Sequence, residues 1–351
     1  MTERIIERGR GSDSLTEVEV DVLRVRALGR VVEVGIDALP VNGRAAMNRL
    51  WARAATSAQS PVDAAFSMLR TDDSFEHRAS LAIAEVTLRA IEAAQGTLLM
   101  LHACALADPS GAAIVFVGPS GHGKTTAAAT LGRSYGYLTD ETSGITPDGR
   151  ILPYEKPLLI RTAEGTAKRP FSPDELDLVP APADPRLAAL VVLDRDPYLI
   201  GPPQLELLDL ADAIPLLVPE TSALPALENG IPILARLAAS IGGVHRVRYR
   251  DAEQLVPVTA DLLAAAPTPD ESWQEVDGRN AVTDGRRVVV LAGDTVHVLD
   301  GIAATLWHHP KLHGQDLTAA LIAQHGPAVD AAERISDAEA ALVALELRPP
   351  A

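Results

Sequence analysis

Residues Gly118, Pro119, Ser120, Gly121, His122, Gly123, Lys124 and Thr125 satisfy the pattern GxxxxGK[ST] in full. An apolar run with strand character, Ile114 to Val117, precedes them and an alanine-rich helical segment follows. Residues of these types at this spacing bind phosphate. Glycines let the backbone curve so that its N–H groups converge on phosphate oxygens, and the N-terminal end of the following helix adds positive potential. Lys124 is positioned to reach the β and γ phosphates. Thr125 offers a hydroxyl to a magnesium ion whose other ligands are water and phosphate oxygens, with Thr126 beside it. His122 reads either as a phosphate contact or as a solvated loop residue. ATP and Mg2+ are the expected ligands.

Two further groups belong to the same chemistry. Asp140 and Glu141 follow the apolar run Tyr137-Leu138-Thr139, and a carboxylate at a strand end next to such a loop binds magnesium or accepts the proton of an attacking hydroxyl. His102 stands among apolar residues, Leu98 to Leu101 and Ala103-Cys104. It is either a satisfied core residue or, beside the strand that feeds the loop, a proton partner of the site.

These residues require a scaffold. The apolar runs 97–107 and 112–117 are separated by Asp108-Pro109-Ser110-Gly111 and predict a hairpin that ends in the glycine-rich loop. Further strands are expected at 137–139, 157–161, 187–193, 205–208 and 244–249, and helices at 124–134, 222–241 and 251–266. Upstream, the first fifteen or so residues read as frayed. Strands 18–25 and 31–36 follow, turning at Gly29-Arg30, and then three helical patterns, the clearest at 77–94 with Gly96 at its end. The proline-broken acidic stretch 267–271 reads as a linker. Beyond it, strands at 280–283, 287–291 and 295–299, joined through Asp284-Gly285 and Gly293-Asp294, precede helices at 301–308, 315–324 and 336–347. The expected class is α/β. An N-terminal α+β lobe spans 1–96, a phosphate-loop domain 97–266, a linker 267–271, and a winged-helix type unit 272–351.

The segments LLMLHACAL (98–106), AIVFVGPSGHGKTT (113–126) and YLTDE (137–141) together resemble the HPr kinase/phosphorylase family, in the family's order and near its spacing. ITPDGRILPYEKPLLI (145–160) and HRVRYRDAEQL (245–255) are looser matches. The resemblance implies that Asp140 is the base for a serine hydroxyl, that Glu141 and Thr125 surround magnesium, that His102 supports Asp140, and that the chain forms a homo-oligomer. The bifunctional enzymes carry two aspartates where this chain has Asp140-Glu141, and their glycine-rich signature has no convincing counterpart here. That departure implies a kinase-related paralogue with another substrate. Arg161, Lys168, Arg169 and Arg246 are the basic candidates for the transferring phosphoryl group, or else plain surface charges. The segments DGRRVVVLAGDTVHVLDGIAATLW (284–307) and DLTAALIAQHG (316–326) resemble the PqqD family of leader-peptide binders. That likeness implies capture of an extended peptide at a sheet edge, the alternative being packing or dimerisation alone. The implied partner is thus a peptide or protein substrate, in one form a leader peptide held by residues 272–351.

Composition narrows the classes. Of 351 residues, 47% are hydrophobic and 22% charged, so real cores can form; the 3% that are aromatic leave them to Ala, Leu, Val and Ile. A net charge of −16 argues against general nucleic-acid or anionic-membrane binding, although a local basic patch stays open. The helix expected at 315–324 carries no lysine or arginine, which disfavours DNA reading. A single cysteine, Cys104, excludes a disulfide framework and fits a reducing cytoplasm. No signal peptide or membrane span is expected.

The reading at this level is an ATP-dependent kinase that transfers the γ-phosphoryl group to a serine-type hydroxyl of a peptide or protein. Its alternatives are an ATP-dependent peptide-binding or chaperone switch, and a small-metabolite kinase. Asp140→Asn separates the first two: a kinase loses transfer while still binding ATP, whereas a switch still couples peptide binding to ATP occupancy. Equilibrium ATP binding measured beside γ-label transfer makes the distinction.

Overall fold

The computed structural model describes residues 2–6, 17–162, 168–276, 278–311, 314–326 and 331–348, and within them the protein is mixed α/β. Packing divides the chain into two compact units that do not follow chain order. One unit comprises Met1–Glu206, Glu220–Ala223 and His245–Ala266, and the other Leu207–Pro219, Leu224–Val244 and Pro267–Ala351.

The first unit begins with β1 (Thr2–Ile6), β2 (Glu17–Ala27) and β3 (Arg30–Gly35), continues through α1 (Val41–Leu50) and β4 (Ala64–Ser67), and reaches α2 (Phe75–Ala94). The four strands form one sheet in the order β1-β2-β3-β4, with β3 and β4 parallel. The expectation of a frayed start is corrected at Thr2–Ile6, which pairs antiparallel with residues 17–21. The rest of that stretch, 7–16, lies outside the described residues. The β2–β3 turn falls one residue earlier than expected, on Leu28 (φ 51°) and Gly29 (φ 73°), both left-handed as a two-residue hairpin turn requires. Where three helical patterns were expected there are two helices and the short strand β4. In α2 the buried Ala79, Ala82, Ile83, Val86, Ala90 and Ala94 recur at helical spacing, and Ser74 caps its start by accepting from His77 N at 3.2 Å. That face packs in a core with Trp51 and Tyr154, whose rings stack 6.5 Å apart.

The chain continues with β5 (Leu99–Ala107), β6 (Ala112–Val117), α3 (Lys124–Leu131), β7 (Gly136–Thr139), β8 (Thr142–Ile145) and β9 (Ile151–Leu152). Next come β10 (Leu158–Arg161) and β11 (Lys168–Phe171), a two-stranded sheet of their own, then β12 (Arg186–Arg195) and β13 (Gln204–Leu208). It then alternates between the units: α4 (Leu210–Leu217) in the second, β14 (Thr221–Ser222) in the first, α5 (Gly230–Ser240) in the second, and β15 (Val244–Tyr249) with α6 (Leu255–Ala264) returning to the first. The large sheet has the order β13-β15-β12-β6-β5-β8-β9, with β7 and β14 also pairing with β5. The β5–β6 hairpin is antiparallel and β6–β12 parallel. Asp108 shapes the hairpin turn by accepting from Ser110 N at 2.8 Å. The single helix expected over 222–241 is instead β14 followed by α5, because Ala223 and Asn229 both adopt positive φ, 56° in each case.

The second unit holds an antiparallel sheet, β16 (Gln274–Glu275), β17 (Ala281–Thr283), β18 (Val288–Ala292) and β19 (Thr295–Leu299), followed by α7 (Gly301–His308), α8 (Gly314–His325) and α9 (Ala331–Ala344). Val288 and Val290 join a core built with Leu306, Trp307, Leu317 and Leu342. Val289 is just as deeply buried, and α4 and α5 pack on β18. Burial on both faces explains why this strand is an unbroken apolar run rather than an alternating one. Among the described residues no helix is long and apolar enough to cross a membrane.

Trp307 is 2% exposed, with the Arg279 guanidinium 4.2 Å from its ring centroid. Trp307→Ala is expected to cost about 3–5 kcal/mol, read as a lower urea midpoint in far-ultraviolet circular dichroism.

Candidate functional site

Strand β5 lies at the centre of the site. On one side Ala103 is opposite Val117, the last residue before the glycine-rich loop. On the other side Ala105 is opposite Thr139 and His102 opposite Thr142. The same register carries through the intervening residues, so Asp140 and Glu141 lie beside Cys104 and Ala103, and Ala103 N donates to Glu141 O at 3.0 Å. The loop and the acidic pair therefore flank one strand, two strand spacings or about 10 Å apart. Strand β14 pairs with β5 at Leu101 and Met100, on the side where β6 has ended. This brings Glu220 level with His102.

The loop is fixed from outside. Tyr249 OH donates to His122 O at 2.6 Å, and His122 Nδ1 lies 3.2 Å from Leu193 O. Gly121 and Gly123 have φ of 89° and 86°, and a Cβ on Gly123 would fall 2.6 Å from the Tyr249 hydroxyl. Glycine is thus required at 123 on both counts. Gly118 is buried, Pro119, Ser120 and Thr126 are exposed, and Thr125 is half-buried at the start of α3. Among the described residues no internal acceptor is found for the amides of Ser120, Gly121, Gly123, Lys124 and Thr125, so they remain available to an anion. Lys124 Nζ turns back onto the loop, donating to Gly118 O and, at 3.2 Å, to Pro119 O. Burial lowers its pKa, while Glu220 and then Cys104, Asp140 and Glu141 pull it back up.

The acidic pair is bound by a lysine that the sequence reading did not single out. Lys156 is 1% exposed, and its Nζ lies 2.7 Å from Asp140 Oδ1 and 3.1 Å from Glu141 Oε2, while donating to Pro157 O at 3.1 Å. Burial lowers its pKa; Asp140 and then Glu141 overcome that and hold it above the ordinary lysine value. Tyr137 OH adds a second donor to Asp140 Oδ1, at 3.0 Å. Asp140 Oδ2 has no partner within the described residues and is not sealed from solvent, which makes it the oxygen open to another molecule.

His102 and Lys124 complete the cluster. Burial, then Lys124, lowers the His102 pKa below its ordinary 6.5, against Glu141 and Glu220, so the imidazole is neutral at pH 7. Its charged neighbours are Lys124, Glu141 and Glu220, whereas Asp140 is held by Lys156 and Tyr137. Three carboxylates, two ammonium groups and a neutral imidazole leave one excess negative charge, which a cation can balance. Among the described residues no three His, Cys, Asp or Glu side chains converge as a metal site. A magnesium ion here would therefore take most of its ligands from phosphate and water, with Thr125 and Glu141 as the protein's contribution. Of the other basic candidates, Arg169 pairs with Glu76 at 3.7 Å and Arg246 with Glu206, while Arg161 and Lys168 are cross-strand neighbours on β10 and β11.

Lys156 had a readable signal, a lone cation among Tyr154, Pro157, Leu158, Leu159 and Ile160. Glu220 had none, because its place depends on a two-residue strand pairing with β5. Compared with known proteins, the chain matches no family model and no curated protein.

Lys156→Met leaves two carboxylates without their buried counter-charge and is expected to lower unfolding free energy by about 3–5 kcal/mol at pH 7. Because the folded pKa of Lys156 is raised, its contribution is full below the unfolded value of 10.5 and lost as pH rises through the folded one. Urea unfolding of wild type and variant should differ by a constant amount from pH 7 to about 10 and converge at higher pH.

Proposed function

We propose that the chain is an ATP-dependent phosphotransferase of the P-loop class that phosphorylates a serine-type hydroxyl on a peptide or protein. One observation carries the reading: a loop with the full GxxxxGK[ST] pattern and free amides lies one strand away from a carboxylate with one open oxygen. The resemblance to HPr kinase-related proteins agrees with it, and so does the likeness of residues 284–307 and 316–326 to PqqD-like peptide binders.

Bound ATP would supply the phosphoryl group and Mg2+ the neutralising charge, at the amides of Ser120, Gly121, Gly123, Lys124 and Thr125, the Lys124 ammonium, Thr125 and Glu141. The chain's own contribution is positioning and electrostatics, as phosphoryl transfer demands. Lys124 exchanges its bonds to Gly118 O and Pro119 O for phosphate oxygens. Lys156 and Tyr137 hold Asp140 by Oδ1, so that Oδ2 is presented to the acceptor hydroxyl and takes its proton. Neutral His102, between Glu220 and Glu141, adds no charge against the bound nucleotide. A peptide would extend the second unit's sheet at β19, its edge strand, where Val298 is 41% exposed. Holding the substrate there raises its concentration at the reacting group without tight contacts to the acceptor residue.

Purified protein with Mg2+ and γ-labelled ATP in extract of the source organism is expected to label one peptide or protein, identified by mass spectrometry. Lys124→Ala and Asp140→Asn should each abolish the label, and Val298→Lys, which charges the sheet edge, should weaken it. Truncation at residue 272 is a poorer test, because it would uncover α4 and α5. Label on a metabolite that Val298→Lys does not affect would favour a small-molecule kinase. ATP-dependent peptide binding without label would replace the kinase with a nucleotide switch.

A further inference from the structure

The β2–β3 hairpin forms one wall of a cleft of about 490 Å³ that shares no lining residue with the Lys124 cluster. Arg26, Arg30 and Arg150 line it together with the half-buried Leu152 and Pro153 and the largely buried Leu98, and among the described residues no acidic residue lines it. In a chain of net charge −16, three guanidinium groups without a lining carboxylate form a local inversion of sign.

The cleft is held in place before any ligand arrives. Arg26 Nη2 donates to Thr56 Oγ1 at 3.2 Å and Arg30 Nη2 to Thr97 Oγ1 at 3.0 Å. Asp184, which is not part of the lining, holds Arg150 through Nε at 2.7 Å and offsets part of its charge. The Nε of Arg30 is buried and has no hydrogen-bond partner among the described residues. Leu28 is fully buried yet sits at φ 51°, a conformation disfavoured for a leucine, and a Cβ on Gly29 would lie 2.9 Å from Leu152 Cδ1. The hairpin tip is thus packed closely against Leu152.

We propose that this cleft is a binding site for a small organic anion with an apolar body. Planar guanidinium groups match an oxyanion head in bidentate fashion, and the apolar lining of Leu98, Leu152 and Pro153 accepts a ring or hydrocarbon of ordinary ligand size. The site is independent of the phosphotransferase reading and stands or falls without it.

Calorimetric titration of the full-length protein with 2-naphthoate tests the proposal. One equivalent is expected to bind, with acetate and the neutral 2-naphthalenemethanol each at least about tenfold weaker, because the head and the body are both required. Arg30→Gln should weaken 2-naphthoate about tenfold. Arg26→Gln, at an exposed position whose replacement leaves the fold intact, should do the same with an unchanged circular dichroism spectrum. The proposal is overturned if 2-naphthoate does not bind in the millimolar range, if the neutral alcohol binds equally well, or if both arginine variants bind like wild type. Loss of binding in Lys124→Ala alone would assign the anion to the glycine-rich loop and overturn it as well.

Discussion

A lysine side chain sealed from water keeps its charge only where carboxylates meet it directly, and Lys156 meets two. Each partner is otherwise unfavourable: Asp140 and Glu141 are adjacent like charges, one of them almost fully buried, and they share a cluster with Glu220. The ammonium between them accompanies the stretch from Thr139 to Thr142, which keeps one register along β5 with two carboxylates at the junction, while the pairing of β7 shifts by a residue between Ala105 and Leu106. The backbone pairing and the charge pairing therefore depend on each other. Ala103 N bonds to Glu141 O within the ladder, while the hydroxyl of Tyr137, three residues before Asp140, bonds both Asp140 and the Lys156 carbonyl.

The same interaction separates what the sequence made legible from what it did not. The β5–β6 hairpin, the glycine-rich loop and α3 were readable because their causes are local: an Asp-Pro-Ser-Gly turn, glycines at positive φ, an alanine run. Strands 295–299 and helix 301–308 were read to the residue for the same reason, with Gly293 at φ 60° turning the hairpin. Strand β8 was not expected, because Thr142-Ser143-Gly144-Ile145 has neither alternation nor a long apolar run. Its pairing is set by β5, with the Leu28 and Leu98 side chains packed closely over Gly144, where a Cβ would meet them at 3.0 and 3.1 Å. The allocation of α4 and α5 to the second unit was equally invisible, since it rests on side chains of β17 to β19 far along the chain. Of the site, the loop and the acidic pair were legible from spacing. Lys156 carried a signal as a lone cation in an apolar stretch, but nothing in the sequence assigned it to the acidic pair, and Glu220 was not legible because its place depends on the short strand β14 that follows it.

The two carboxylates differ in a way that bears on their chemistry. The Asp140 side chain is 3% exposed and that of Glu141 33%, although both share the Lys156 ammonium. A buried carboxylate with one oxygen fixed by two donors is oriented and poorly hydrated, which suits alignment of a hydroxyl and acceptance of its proton. A half-exposed one, reached through an additional methylene, retains water around its second oxygen and suits a hydrated divalent cation, which sheds its waters reluctantly. Two aspartates would bring both carboxylates equally close to the backbone. The Asp-Glu pair instead places one inside the sheet and one at its margin, with a single buried cation fixing the geometry of both.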